Sequence, residues 1–159
     1  MSVTIRAATP DDIDLIHGFI AALADYERLA HEAQADKAEL ARHLFGPRPM
    51  AEVLIAEHEG AAVGFALFFY NFSTFEGKPG LYLEDLFVAP EARGAGAGKA
   101  LLAHLAKLAV ERGCARLEWS VLDWNQPAIA FYRSIGARPM DEWTVNRVDG
   151  DALRALAAS

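Results

Sequence analysis

Six consecutive residues, Arg93-Gly94-Ala95-Gly96-Ala97-Gly98, followed by Lys99, combine a guanidinium with three glycines at alternate positions. Ahead of them runs an apolar, strand-like segment, Leu81-Tyr82-Leu83-Glu84-Asp85-Leu86-Phe87-Val88. Behind them Leu101, Leu102, Leu105, Leu108 and Ala109 recur on one helical stripe. Strand, glycine loop and helix together present free backbone N–H groups to an anion. The first N–H groups of a helix have no intrahelical partner, and the macrodipole adds partial positive charge there. Glycine lets backbone approach an anion closely, and Arg93 supplies a charge-assisted contact. The chemistry expected here is docking of a phosphorylated ligand. The competing reading is a flexible glycine turn that caps an ordinary helix.

Spacing separates the glycine-loop families. A P-loop needs a hydroxyl after its Gly-Lys pair to reach Mg²⁺, but Gly98-Lys99 is followed by Ala100. In the dinucleotide fingerprint G-x-G-x-x-G, started at Gly94 and Gly96, the third glycine falls on Lys99. The remaining pattern, R-G-x-G-x-G, resembles the pyrophosphate-binding loop of the GNAT superfamily of acetyl-CoA-dependent N-acetyltransferases. Downstream, Asn125-Gln126-Pro127-Ala128-Ile129-Ala130-Phe131-Tyr132 is similar to that superfamily's N-x-x-A-x-x-F-Y segment. Its local chemistry is that of a helix: Asn125 as cap, Pro127 in the first turn, and Gly136 as the stop. Tyr82 to Val88, Trp124 to Pro127, Phe131-Tyr132-Arg133, Ile5 to Thr9 and Asp25-Tyr26-Glu27 look like the diamine (spermidine/spermine) acetyltransferase branch, which includes thialysine enzymes.

The resemblance implies an N-acetyltransferase that moves acetyl from acetyl-CoA to a small primary amine by direct attack in a ternary complex. Residues Leu86, Phe87 and Val88 would line the pantetheine arm with their backbone, Arg93 to Lys99 would hold the pyrophosphate, and Asn125 would touch the arm. A lysine-like ammonium has a pKa of about 10.4, so presenting a neutral amine at pH 7 costs roughly 4–5 kcal/mol. In the resembling family the position of Glu84 is the candidate base, acting through water, and Tyr132 matches the acid that protonates the departing thiolate. Asp85 would then orient the amine. Adjacent strand residues face opposite sides, so without a bulge only one of Glu84 and Asp85 points to the substrate. Tyr26, Glu27, Phe75, Glu84, Asp85 and Trp143 are the acceptor-side candidates, a mixture of acids and rings suited to a cation. Arg28, Leu29, Ala30 and His31 follow Tyr26-Glu27 where polyamine enzymes are more acidic, and Phe75 stands where a tryptophan is typical. Both departures favour a shorter amine. The rival readings are a GNAT enzyme for an amino acid, drug or protein amine, and a noncatalytic sensor of CoA esters. Glu84 and Tyr132 together favour catalysis, because sensing needs only the phosphate loop.

Composition narrows the setting. The 159 residues, 53% hydrophobic and 23% charged, suit one soluble α/β domain spanning residues 1–159. A net charge of −7 argues against nucleic acid and suits a cationic small molecule. No apolar run reaches the roughly 18 residues of a membrane helix, no signal peptide is visible, and Cys114 stands alone. A cytoplasmic protein without membrane association is the expectation. The five histidines lack metal-ligand spacing, so no metal is expected.

The elements that must position these residues follow from periodicity. Ser2 to Ala8 reads as a strand; Thr9-Pro10-Asp11-Asp12 starts a helix carrying Ile13, Ile16, Phe19, Ile20 and Leu23 inward. A shorter helix spans Asp36 to Leu44, and Glu52 to Glu57 pairs with Ala62 to Phe72 across Glu59-Gly60. Phe72 to Gly80 is expected as a loop, Arg116 to Leu122 as a strand, and Asn125 to Ser134 as a helix. A last strand or hairpin is expected over Trp143 to Val148, before a short helix from Asp151. The fold implied is α/β, with a mixed, mostly antiparallel central sheet flanked by helices. The family's homodimers exchange C-terminal strands, for which Trp143 to Val148 is the matching segment.

Overall fold

The computed structural model describes residues 2–159. The chain divides into two compact units, the first ending at Leu122 and the second running from Asp123 to Ser159. In the first unit β1 (Val3–Ala7) leads through a 3-10 turn into α1 (Ile13–Tyr26), and α2 (Lys37–Phe45) follows. Then come β2 (Glu52–His58), β3 (Ala61–Ser73), β4 (Lys78–Val88), α3 (Ala97–Glu111) and β5 (Leu117–Trp119). The second unit holds α4 (Gln126–Ser134) and α5 (Gly150–Ala157).

The five strands form one sheet in sequence order, β1-β2-β3-β4-β5. The first three pairings are antiparallel; β4 and β5 are parallel, as a crossover through α3 requires. Glu59 and Gly60 both take positive φ, 53° and 80°, the two-residue turn whose twist matches an antiparallel hairpin. The α1 entry is fixed by charge. Arg6 donates to both Asp12 oxygens at 2.8 and 2.9 Å, and the Thr9 N–H donates to Asp12 Oδ2 at 2.8 Å. The hydrogen bond from Arg6, first, and that from the Thr9 backbone hold the Asp12 carboxyl down at about 2 against its burial. That contribution is present above the ordinary aspartate pKa and is lost as pH falls toward 2.

One face of the sheet packs against α1 and α2 through Ile16, Phe19, Leu23, Leu44, Val53, Ile55, Phe65 and Phe87. Phe19 stacks on Phe65 with ring centroids 5.5 Å apart. The helix α3 buries Leu101, Leu102, Leu105 and Ala109 of the stripe expected from its sequence, together with Ala97, while Leu108 is half-buried.

Three expectations need correction. The loop over Phe72 to Gly80 is largely strand: Phe72 pairs with Pro79 and Ser73 with Lys78, leaving only residues 74–77 as the turn. Gly77 at φ 66° reverses the chain there, and Ser73 Oγ accepts from the Glu76 N–H at 3.2 Å. The strand over Arg116 to Leu122 shrinks to Leu117–Trp119, because its parallel neighbour pairs only along Leu81–Leu83. Trp143 to Val148 forms no strand. A strand requires a ladder partner, and this segment bonds locally: the Trp143 N–H donates to the Met140 carbonyl and the Asn146 amide to the Thr144 carbonyl.

Candidate active site

Strand β4 changes character at Glu84. Up to Leu83 it is paired on both edges, with β3 on one side and β5 on the other. Beyond Leu83, among the described residues, no strand pairs with it on the β5 side, although β3 follows it to Val88. The same place carries a bulge: Phe68 pairs with Leu83 and Leu67 with Asp85, so Glu84 is the extra residue. Paired residues share a face, so Leu83 lies with Phe68, whereas Asp85 lies with Leu67 and Phe87 on the α1 face. The bulge breaks the strict alternation expected of the strand. Leu81 and Leu83 can be buried on one face while Asp85 turns to the other, and Glu84 sits exposed at the kink.

A third carboxylate joins them from α1. Glu27 is the residue on which α1 closes, and its backbone N–H donates to the Leu23 carbonyl at 2.9 Å. The Arg28 N–H then donates to Asp25 at 3.0 Å and the Leu29 N–H to Ala24 at 2.8 Å, with Arg28 left-handed at φ 63°. This is a Schellman closure, usually made by glycine. Burial first, then the charges of Glu84 and Glu27, push the Asp85 carboxyl up to about 6. Burial and then Glu84 raise Glu27 as well. The mutual repulsion of these three carboxylates makes the local potential negative, which a cationic group would relieve.

The phosphate end of the segment is made of backbone. Gly94 and Gly96 have φ of 94° and 86°, the left-handed region that favours glycine, and Gly96 is the N-cap of α3. Its carbonyl accepts the first helical bond, from the Ala100 N–H at 2.9 Å. The N–H groups of Ala97, Gly98 and Lys99 precede that bond and have no intrahelical partner. Gly98 lies against the end of β4, where an added Cβ would stand 3.8 Å from Val88 Cγ2. Ala95 is partly exposed in the loop, and Lys99 is exposed on the first turn of the helix. The Arg93 guanidinium lies over the Tyr26 ring, 5.0 Å from its centroid. Sequence reasoning assigned Arg93 and Tyr26 to different ligands and missed this contact.

The remaining candidates lie elsewhere. Phe75 is at the tip of the β3–β4 hairpin and fully exposed. Asp85 lies seven residue steps along β4 from Lys78, roughly 23 Å at the strand rise, so the first unit alone does not bring Phe75 to the carboxylates. In the second unit Asn125 is buried and caps α4, its Oδ1 accepting from the Ala128 N–H at 3.4 Å. Tyr132 lies in the last turn of α4 with its ring centroid 5.7 Å from that of Phe131, and its carbonyl accepts from the Ala137 N–H. Trp143 is exposed. Among the described residues no group of three His, Cys, Asp or Glu side chains is arranged to hold a metal, and no helix is long and apolar enough to cross a membrane.

The site is thus a mixed sheet with an opened β4 edge that leads through a glycine turn into a helix. Residues 17–137 match the model of the Acetyltransferase (GNAT) family, and the chain belongs to that family. It is 36% identical to a thialysine N-epsilon-acetyltransferase of Bos taurus, over 98% of this chain and 97% of the relative. It is 34% identical to the L-ornithine N5-acetyltransferase NATA1 of Arabidopsis thaliana, over 96% of this chain and 86% of that protein. Among solved structures, an integron cassette protein from the mobile metagenome of V. cholerae is similar over all of this chain and 99% of its own, with a TM-score of 0.82 and 33% identity. The protein is therefore an acetyl-transferring enzyme of the thialysine- and polyamine-like branch.

Proposed function

We propose that this enzyme transfers acetyl from acetyl-CoA to a small primary amine carrying at least one further charge, of the diamine or thialysine type. The observation that carries the reading is the change at Glu84. One short stretch of β4 offers a free backbone edge and, through its bulge, two carboxylates on an otherwise apolar strand. The free edge suits the amide-bearing pantetheine arm, which can pair with a strand as an added strand does. The left-handed glycines and unpaired N–H groups at the start of α3 suit its pyrophosphate. Glu27, Glu84 and Asp85 suit the ammonium groups of the acceptor, and the thialysine and ornithine enzymes among the relatives support a short acceptor.

In the reaction, Glu84 takes a proton from the acceptor ammonium through water, and the neutral nitrogen attacks the thioester carbonyl carbon. The new C–N bond forms, the C–S bond breaks, and the nitrogen's second proton passes to solvent. Tyr132 gives its phenolic proton to the departing thiolate as the C–S bond breaks; with a phenol near 10 and a thiol near 8.5 the transfer is uphill by roughly 2 kcal/mol in water, and solvent returns a proton to the phenolate afterwards. Asp85 and Glu27 hold the second charge of the acceptor. Release of free thiol from acetyl-CoA, followed over thialysine, ornithine, diamines, spermidine and an aminoglycoside, tests the reading. The expected result is greatest kcat/KM for the short acceptors; no release with any of them would overturn it.

A homodimer belongs to the same proposal. Trp143, Val145 and Val148 expose apolar side chains on a segment that has no ladder partner among the described residues. Pairing with a second copy would cover them. Light scattering after size exclusion should give twice the 17.3 kDa chain mass.

A further inference from the structure

The Arg93–Tyr26 stack joins the two halves of the site at a single turn of backbone. Tyr26 is the last residue of α1 and Glu27 is its cap, and the Schellman bonds from Arg28 and Leu29 lock the two into one rigid end. On one side of that end, the Tyr26 ring lies under the guanidinium of the phosphate loop. On the other, α1 packs Phe19 against Phe87 of β4, ring centroids 5.9 Å apart, on the strand that carries Glu84 and Asp85, and the charges of Glu27 and these two acids bear on one another. A ring under a guanidinium covers its face and leaves its N–H fork free at the edge, where a phosphate is recognised.

Resting on the acetyl-CoA reading above, we infer that Tyr26 is a positioning residue that couples occupancy of the phosphate loop to binding of the amine. A pyrophosphate held by the Arg93 fork fixes that side chain in its stacked position. The stack in turn steadies the α1 end and the Glu27 carboxylate, so an arriving amine has less left to order. The coupling is reciprocal: the amine must tighten CoA by the same factor. Stacks of this kind at exposed positions correspond to about a 2- to 5-fold effect on affinity. Tyr26 therefore contributes to acceptor recognition without needing to touch the acceptor.

The test is calorimetric titration of thialysine into the full chain, with and without saturating CoA, which cannot turn over. Wild type and Tyr26→Phe should bind thialysine about 2- to 5-fold more tightly when CoA is present. Tyr26→Leu, which removes the ring, and Arg93→Lys, which keeps the charge but removes the planar fork, should show no tightening. Equal tightening in both of those variants, or none in wild type, would overturn the inference. Thermal stabilisation of wild type by CoA alone reports the phosphate site separately. Its absence would count against the acetyl-CoA reading, whereas its presence without coupling counts against Tyr26 only.

Discussion

The two ends of the proposed site on β4 would recognise charge by different means. At the phosphate end, residues 93–99 offer backbone N–H groups on a glycine turn that opens a helix. At the acceptor end, Glu27, Glu84 and Asp85 offer side-chain carboxylates gathered from α1 and a bulged strand. Backbone recognition has strict local needs, because only certain φ values and only glycine admit the approach. Side-chain recognition has none, because any carboxylate delivered by the fold will serve. On the proposed reading the first end would be tied to one ligand group, and the second would be free to vary, as the different amines named for the relatives suggest.

The largest effect should come from a residue that belongs to neither end. Tyr132→Phe should lower kcat by about 10²-fold, the scale of general acid catalysis, with both Michaelis constants little changed. Steady-state kinetics with each substrate varied checks this; unchanged turnover would make the hydroxyl structural. Next, Gly96→Val forces a β-branched residue to φ 86° at the cap of α3. The strain of roughly 1–2 kcal/mol should raise the acetyl-CoA KM by about 5- to 30-fold while leaving the acceptor KM nearly unchanged. A matching rise in the acceptor KM would show that the two ends are not separable.

The same contrast governs what could be read from sequence. The glycine loop, the Asn125 cap and the α3 stripe were legible because each depends on residues close in the chain. The Glu84 bulge was not. It is a property of register between β3 and β4, fixed by which apolar residues must be buried on each face, and nothing in Leu83-Glu84-Asp85-Leu86 marks it. The contact of Arg93 with Tyr26 was hidden for a similar reason, since long-range packing brings together two residues that each had a local explanation. At Trp143 to Val148 the strand or hairpin expected from sequence is absent, because local composition supplies no ladder partner for a strand.

Asp85→Asn sharpens the comparison with a smaller effect of two signs. It should raise the acceptor KM several-fold and leave the acetyl-CoA KM alone, because it removes one charge from the acceptor end only. The Asp85 carboxyl is raised to about 6 by burial and by its acidic neighbours. The folded protein therefore binds a proton there more tightly than the unfolded chain, and stability falls as pH rises from the ordinary aspartate range through about 6. Removing the charge should relieve that penalty, on the order of 2 kcal/mol, and raise the melting temperature by a few degrees at pH 7–8. The gain should vanish below about pH 4, where both forms are neutral. A variant that is less stable at pH 8 would mean that Asp85 is held by a favourable partner.

The most direct test is the pH dependence of kcat/KM for thialysine in wild type and Glu84→Gln. Presenting a neutral amine at pH 7 costs roughly 4–5 kcal/mol, and Glu84 is proposed to offset about 3 kcal/mol of the resulting barrier by accepting the proton. The deficit of the variant should be greatest near neutrality, on the order of 10²-fold, and should shrink steadily as pH approaches the amine's own pKa near 10. Acetyl transfer by wild type with a constant fractional loss in the variant at every pH would contradict the account.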